Sequence, residues 1–476
     1  MSQVSRGFVW SAAERFSIQG ISFLLSIIIA RIVSPSSYGL IVMIQVFMSF
    51  SQLFIDSGFT KALIQKKDRS DVDYNTAFIF NLATAIFIYL ILYITAPFIA
   101  DFYNEPQLTI ITRIISLNLI FSSLSLVQKT RLTINLDFKT QTKAGLIAVI
   151  VSGIAGIICA YSGMEVWALI VQGLLSQIII SLSLIYFSHW IPKFQFSKKS
   201  FIGLFSYGSR LLANNMLTSL YINIFNLVIG KKYTPADLAF FNRAFTLSQF
   251  PSVNISEVLN RVIFPILTKV QDDREKLKKC YFKYLHLSHY IILPLMGLTI
   301  VLAYPLIEVV LTSKWLPTSL YLQLFCFNFM LYPIIQQSSN PVAAIGRVGI
   351  LLRFEIVKRS LAVLILIAMI RLGIPAICVG IVISTFLEAC INVYVLKKEI
   401  GIRYRDLLNS QLDVILVTLC VCLMVYIITA MMTGPLCKLI FGCIVGLILY
   451  ILGTFIFNFQ EKKYYIQVLQ SIRVRI

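Results

Sequence analysis

The chain has 476 residues, 58% of them hydrophobic and only 13% charged, with a mean hydropathy of +0.84. An ordinary soluble domain carries about 25% charged residues, and a core this apolar would leave large apolar patches in water. A secreted enzyme, a cytosolic enzyme and a nucleic-acid-binding domain are therefore excluded, and an all-α polytopic membrane protein is predicted. The net charge of +20 comes from 41 basic and 21 acidic residues; the positives fall mostly in short loops between apolar runs, where membrane topology accounts for them better than a nucleic-acid partner does.

A helix needs about 20 residues to cross the hydrocarbon layer. Fourteen segments of that kind follow one another along the chain: 8–30, 39–58, 74–97, 108–128, 144–162, 166–188, 204–229, 238–264, 283–308, 318–339, 354–371, 374–396, 411–433 and 435–459. The eighth is the least hydrophobic, and twelve spans is the alternative count. No small-residue cleavage site follows a short apolar run at the start, so the first helix is expected to be retained. With the N-terminus in the cytoplasm, 28 basic residues lie on inner segments and 6 on outer ones. Such a split agrees with an even number of spans and two cytoplasmic termini.

The chain contains no G-x-x-x-x-G-K-[ST], H-E-x-x-H or G-x-S-x-G pattern, and no connection is long enough for an extramembrane catalytic domain. No catalytic site, metal or cofactor is expected. The nine cysteines lie mostly inside apolar segments without zinc spacing; even the close pair Cys420 and Cys422 reads as buried thiols.

An internal repeat is visible. Ala30-Arg-Ile-Val-Ser-Pro-Ser-Ser-Tyr-Gly39 matches Gly230-Lys-Lys-Tyr-Thr-Pro-Ala-Asp-Leu-Ala239, and Ala62-Leu-Ile-Gln-Lys-Lys-Asp-Arg69 matches Ile266-Leu-Thr-Lys-Val-Gln-Asp-Asp273. Pro106 and Pro317 open the fourth and tenth spans in the same order. Six helices per repeat give both halves one orientation, related by an axis along the membrane normal. The expected organisation is a six-helix bundle over 1–200, a second over 201–400, and an extra helix pair with a cytoplasmic tail over 401–476.

Because a helix turns about 100° per residue, polar positions can be projected around each span. The first carries Arg15, Gln19, Ser22 and Ser26 on one face; the second carries Gln45, Ser49, Gln52 and Asp56. The seventh has Arg210, Asn214, Thr218 and Tyr221, and the eighth has Arg243, Asn254, Glu257 and Arg261, with a kink expected at Pro251. A charge at the bilayer centre costs at least about 2.5 kcal/mol, so such faces avoid lipid. Either they bond helices to one another or they line a hydrated cavity between the halves; four stripes on repeat-equivalent helices favour the cavity.

Charges within spans lean basic, and guanidinium groups bind phosphate through paired donors. Arg15, Arg210, Arg243 and Arg261, with Gln19, Gln45, Gln52, Asn214 and Asn254 beside them, are the predicted lining for an anionic substrate. Asp56, Glu257 and Glu388 are the candidates for proton or sodium coupling. Arg113, Lys358 and Arg359 read as side chains that snorkel to an interface.

Several motifs resemble the bacterial polysaccharide exporters, the Wzx-type or O-antigen flippases, and most of all their colanic-acid-exporter branch. They are Trp10-Ser-Ala-Ala-Glu-Arg-Phe16, the Ala30–Gly39 segment, Phe54-Ile-Asp-Ser-Gly-Phe59, Ala100-Asp-Phe-Tyr-Asn-Glu-Pro106, Leu136-Asp-Phe-Lys-Thr-Gln141 and Trp315-Leu-Pro317. The likeness covers about residues 7–400. It implies the fold shared by MATE-type multidrug exporters and lipid II flippases: two six-helix bundles around a central cavity. It further implies export of an oligosaccharide repeat unit on undecaprenyl diphosphate across the bacterial inner membrane, with the lipid bilayer and a polysaccharide polymerase machinery as partners. The competing reading on the same fold, a cation-coupled drug antiporter, wants an acid-rich cavity, and the arginine excess argues against it. A membrane glycosyltransferase wants a large outer loop and a base at the interface. Here the outer loops are short, and His189, His286 and His289 fall on the cytoplasmic side.

Overall fold

The structure is a computed structural model that describes residues 3–457, apart from the side chains of 3–16, 210, 211, 213, 214, 217, 218, 221, 261, 262, 348 and 352. Every described element with regular backbone is helical. Two compact units are present, Met1–Ala239 and Phe240–Ile476.

The first unit contains α1 (Gln3–Ile32), α2 (Pro35–Asp56), α3 (Phe59–Gln65), α4 (Asp71–Tyr103), α5 (Leu108–Ile115), α6 (Leu117–Ile134), α7 (Phe138–Tyr161), α8 (Val166–Ser188) and α9 (Lys198–Lys232). Local chemistry explains the boundaries. Ser34 caps α2, with Pro35 at the first helical position, where the missing N–H costs nothing. Ser70 and Asp73 form a reciprocal capping box at the start of α4, and Asp137 accepts from the Thr140 amide at the start of α7. Helix α7 packs along α1 and α8. Its small face permits the approach: a Cβ on Gly153 would stand 2.3 Å from Leu25 Cδ1. Close packing of this kind drives helix association where lipid is as apolar as the side chains. Helix α9 packs on α2, α3 and α4 and so belongs to this unit.

The second unit takes in most of α10 (Pro235–Lys269), then α11 (Arg274–Val301), α12 (Ala303–Leu311), α13 (Thr318–Met330), α14 (Tyr332–Ala344), α15 (Val348–Met369), α16 (Ile374–Ile400), α17 (Tyr404–Ala430) and α18 (Pro435–Ile456). Thr234 and Asp237 form the capping box of α10. Helix α16 lies against α13, α14 and α15, α17 against α11, and α18 against α12 and α17. The last two helices are fixed by a small core that includes Val414, Val421 and Tyr450, whose hydroxyl donates to the Tyr290 carbonyl at 2.7 Å.

Helix occupies all fourteen predicted segments. Among the described residues ten helices, counting pieces joined end to end, are long and apolar enough to span a membrane; those in the first, seventh, eighth and eleventh segments fall outside that set. The protein is a multi-pass membrane protein. Ile94, Phe98, Leu182, Leu364, Leu419 and Leu423 are among many large apolar side chains left exposed, as lipid contact demands. The fourth and tenth segments are not continuous: α5 gives way to α6 at Ser116, and α13 to α14 at Leu331.

Candidate functional site

In the first unit the polar residues of α1, α2, α7 and α8 enclose a cavity of about 320 Å³ lined by Ser22, Tyr38, Ser152, Gln172 and Ser176. A neighbouring cavity of about 270 Å³ shares Val149 and Ser176 and adds Lys129 and Gln141. Among the described residues no carboxylate lines either one; the polar groups are hydroxyls, amides and one ammonium, set among apolar side chains such as Leu169 and Ile180. Asn118 Oδ1, buried without a partner, belongs to a side chain whose Nδ2 would lie 3.7 Å from a Cβ on Gly173, another lining residue. Buried polar groups of this kind want hydrogen-bonding company from water or a ligand.

The polar residues predicted to share one face of α2 differ in what they contact. Gln45 is exposed, and its carbonyl accepts from Ser49 Oγ at 2.7 Å. Gln52 is half-buried and accepts from Ser122 Oγ of α6 at 3.0 Å. Asp56 Oδ1 accepts from the Thr60 amide at 3.2 Å. That contact puts the carboxylate over the N-terminus of α3, where a negative charge is favoured, so Asp56 has a helix-capping role here. Gln19 on α1 is exposed. The side chains of Arg15, Arg210, Asn214 and Arg261 lie outside the described residues.

In the second unit, Arg243 sits about two turns into α10, 5.3 Å above the ring of Trp315. Trp315 is fully buried in a single 3-10 turn after α12 and meets Phe240 at 5.9 Å. The arginine is thus held by an aromatic face close to one end of its helix. Asn254 is half-buried and donates to the Phe250 carbonyl at 2.7 Å. Six residues further along α10, Asn260 accepts from Asn340 of α14 at 3.0 Å.

A charged network spans α15 and α16. Lys358 Nζ lies 2.7 Å from Glu355, 3.3 Å from Glu388 and 3.3 Å from Asn392 Oδ1, with its side chain only 10% exposed. Arg359 bonds Glu355 from the other side at 2.6 Å. Lys358 and Arg359 therefore do not snorkel: the cost of a bare charge among apolar helices is offset by internal partners instead. Glu388, a candidate coupling acid, pairs with Lys358, and Tyr332 of α14 lies within electrostatic reach of both Glu388 and Glu257. The spacing Glu355-x-x-Lys358-Arg359 is the i,i+3 and i,i+4 pattern of helix ion pairs and was open to discovery in the sequence. Its link to α16 was not. Arg113, half-buried, donates to the Tyr93 carbonyl at 3.2 Å and lies over that exposed ring.

A second unforeseen site is Glu165, in the loop between α7 and α8. Its Oε2 accepts from Ser34 N at 3.0 Å, Ser34 Oγ at 2.8 Å and Ser37 Oγ at 2.9 Å. In the repeat-equivalent segment Asp237 bonds Thr234 locally. In the aligned segments Ser37 stands where Asp237 does, and its carboxylate partner lies 128 residues away.

These features describe a membrane transporter fold. Its backbone superposes on the lipid II flippase MurJ in an inward closed conformation with a TM-score of 0.77, covering 94% of this chain and 98% of that one at 16% identity. An inward-facing multidrug resistance MATE family transporter of the MOP superfamily gives 0.59 over 85% of this chain and 98% of its own, also at 16% identity. The chain belongs to the polysaccharide biosynthesis protein family, which matches residues 28–320. It is 25% identical over 413 residues to the lipopolysaccharide biosynthesis protein WzxC of Escherichia coli (strain K12), covering 85% of this chain and 83% of that protein. It is 24% identical over 306 residues to the teichuronic acid biosynthesis protein TuaB of Bacillus subtilis (strain 168), covering 63% and 62%.

Proposed function

We propose that the protein is a flippase that carries an undecaprenyl-diphosphate-linked oligosaccharide, the repeat unit of a surface polysaccharide, from the inner to the outer leaflet of a bacterial inner membrane. The charged diphosphate and the sugar hydroxyls make unaided passage through hydrocarbon prohibitively slow. The observation that carries the reading is a lining that, among the described residues, combines hydroxyls, amides and Lys129 with apolar side chains and holds no carboxylate, inside a body whose outer surface is lipid-compatible. Such a lining suits a neutral polyol better than the cationic drugs of the related antiporters. The match to a polysaccharide biosynthesis family supports the same substrate class.

In this reading two six-helix bundles, repeats of one another with both termini in the cytoplasm, rock about a central cavity. Arg15, Arg210, Arg243 and Arg261 bind the diphosphate, and Gln19, Gln45, Gln52, Asn214 and Asn254 meet the sugars. Glu257 and Glu388, both within reach of Tyr332, are the groups through which an ion gradient acts; the membrane potential supplies about 2.3 kcal/mol per charge per 100 mV. A polymerase machinery on the far side consumes the exported unit, and the chain performs no covalent chemistry.

The direct test is transport. Purified protein in liposomes should bring a labelled polyprenyl-diphosphate glycan within reach of a membrane-impermeant glycosidase, and deletion of the gene should leave lipid-linked repeat units on the inner leaflet. Liposomes that expose no more glycan with the protein than without it refute the assignment.

A further inference from the structure

Within the first unit the α2 and α9 segments come backbone to backbone at two glycine-bearing places, one near each end of α2. Near one end, a Cβ on Gly39 would stand 1.8 Å from the Pro235 carbonyl oxygen, just past the end of α9. At the other end, a Cβ on Gly58 would stand 2.6 Å from the Gly208 carbonyl oxygen, and one on Gly208 would stand 2.3 Å from that of Ser57. Separations under 3.0 Å are not sustained by real side chains, so only glycine permits these approaches. Gly58 also holds φ +73°, a conformation other residues adopt only under strain. Gly39 and Gly58 are 19 residues apart, about 28 Å of helix, close to the thickness of the hydrocarbon layer. Between them α2 presents Gln45, Ser49 and Gln52.

Different chemistry surrounds each contact. At the Gly39 end, Lys231 donates to the Phe102 carbonyl and lies 4.9 Å above that ring. Gly230 there packs against Tyr103, whose hydroxyl reaches the Met43 carbonyl at 3.4 Å. At the Gly58 end the seal is apolar: Phe59 and Phe80 meet Phe201 and Phe205 of α9, with Phe80 and Phe201 centroids 5.1 Å apart. One end closes with a cation and carbonyls, the other with a phenylalanine cluster.

We propose that these contacts are the two gates of the transport cycle: Gly39–Pro235 with the Lys231 clasp seals the outer end, and Gly58–Gly208 with the phenylalanine cluster seals the inner end. The assignment rests on the flippase reading for its substrate, though not for its geometry. Each gate must open while the other stays shut, and hydrogen at these α-carbons allows each to close again. An added methyl at Gly39 holds the outer end ajar; one at Gly58 or Gly208 holds the inner end ajar.

The test uses the full-length protein with its nine native cysteines replaced and a single reporter thiol introduced by Gln45→Cys, labelled from the outside by an impermeant maleimide. Gly39→Ala should raise the labelling rate about fivefold, whereas Gly58→Ala and Gly208→Ala should lower it by a similar factor, shifts that need only about 1 kcal/mol of bias between the two states. Variants that remove a contact rather than add bulk guard against misfolding: Lys231→Ala should follow Gly39→Ala, and Phe205→Ala should follow Gly58→Ala. Opposite directions at the two ends support the gates. Unchanged rates, or the same direction in all five variants, overturn them. The labelling needs no substrate, and transport is read separately in the protein that keeps Gln45: altered labelling together with no glycan moved by that protein would keep the gates and discard the flippase reading, and unaltered labelling alongside a working flippase would do the reverse.

Discussion

Replacing Lys358 with Met probes whether the charge network of α15 and α16 is held together by mutual neutralisation. At 3.3 Å from Glu388, the ammonium gains about 5 kcal/mol of Coulomb energy at an effective dielectric of about 20, much of it offset by the desolvation of both ions. Removing one partner leaves the other buried and uncompensated, which costs about 3–5 kcal/mol. The lower end applies, because Glu388 keeps 17% exposure and partial access to water softens the penalty. Glu355 adds little: it is 39% exposed and retains Arg359 at 2.6 Å. Lys358→Met should therefore destabilise by about 3 kcal/mol, and adding Glu388→Gln should return about 2 kcal/mol by removing the orphaned charge. In thermal unfolding of the detergent-solubilised protein the single variant should lose about 3–6 °C in Tm, and the double variant should recover most of it. A double variant as unstable as the single one, or a Lys358→Met protein with unaltered Tm, refutes the neutralisation argument.

Three further outcomes are expected. Glu165→Ala removes a carboxylate that accepts three hydrogen bonds at the start of α2, so amide exchange in the first turn of α2 should quicken by about 1–2 kcal/mol of lost capping; unchanged exchange there would show that Ser34 caps the helix unaided. Arg243→Ala should abolish surface glycan while membrane levels stay normal, and Arg243→Lys, which keeps the charge but not the flat stacking on Trp315, should restore only part of it; wild-type glycan in the alanine variant would discard a diphosphate role for this residue. A cysteine placed at Gln52 should react with a water-soluble thiol reagent from one side only, and complete protection in every state would make that face a dry helix interface.

The tertiary structure adds pairings that the sequence alone left open. Asp56 reads in the sequence as an acid on a polar face, and only the turn into α3 puts it beside the Thr60 amide. Lys358 reads as a snorkelling side chain until α16 is seen to bring Glu388 and Asn392 beside it. Glu165 carries no local signal at all, because its partners lie 131 and 128 residues away.

What the sequence alone decided was the solvent: hydropathy and loop charge are sums over neighbouring residues, and a bilayer responds to those sums. Family membership and the approximate span positions follow from the same local record. The structure decided which polar groups meet, because that depends on how far each helix is rotated and on which distant helix it faces. A glycine in α2 that is unremarkable in a row of letters thus becomes a point where two backbones touch.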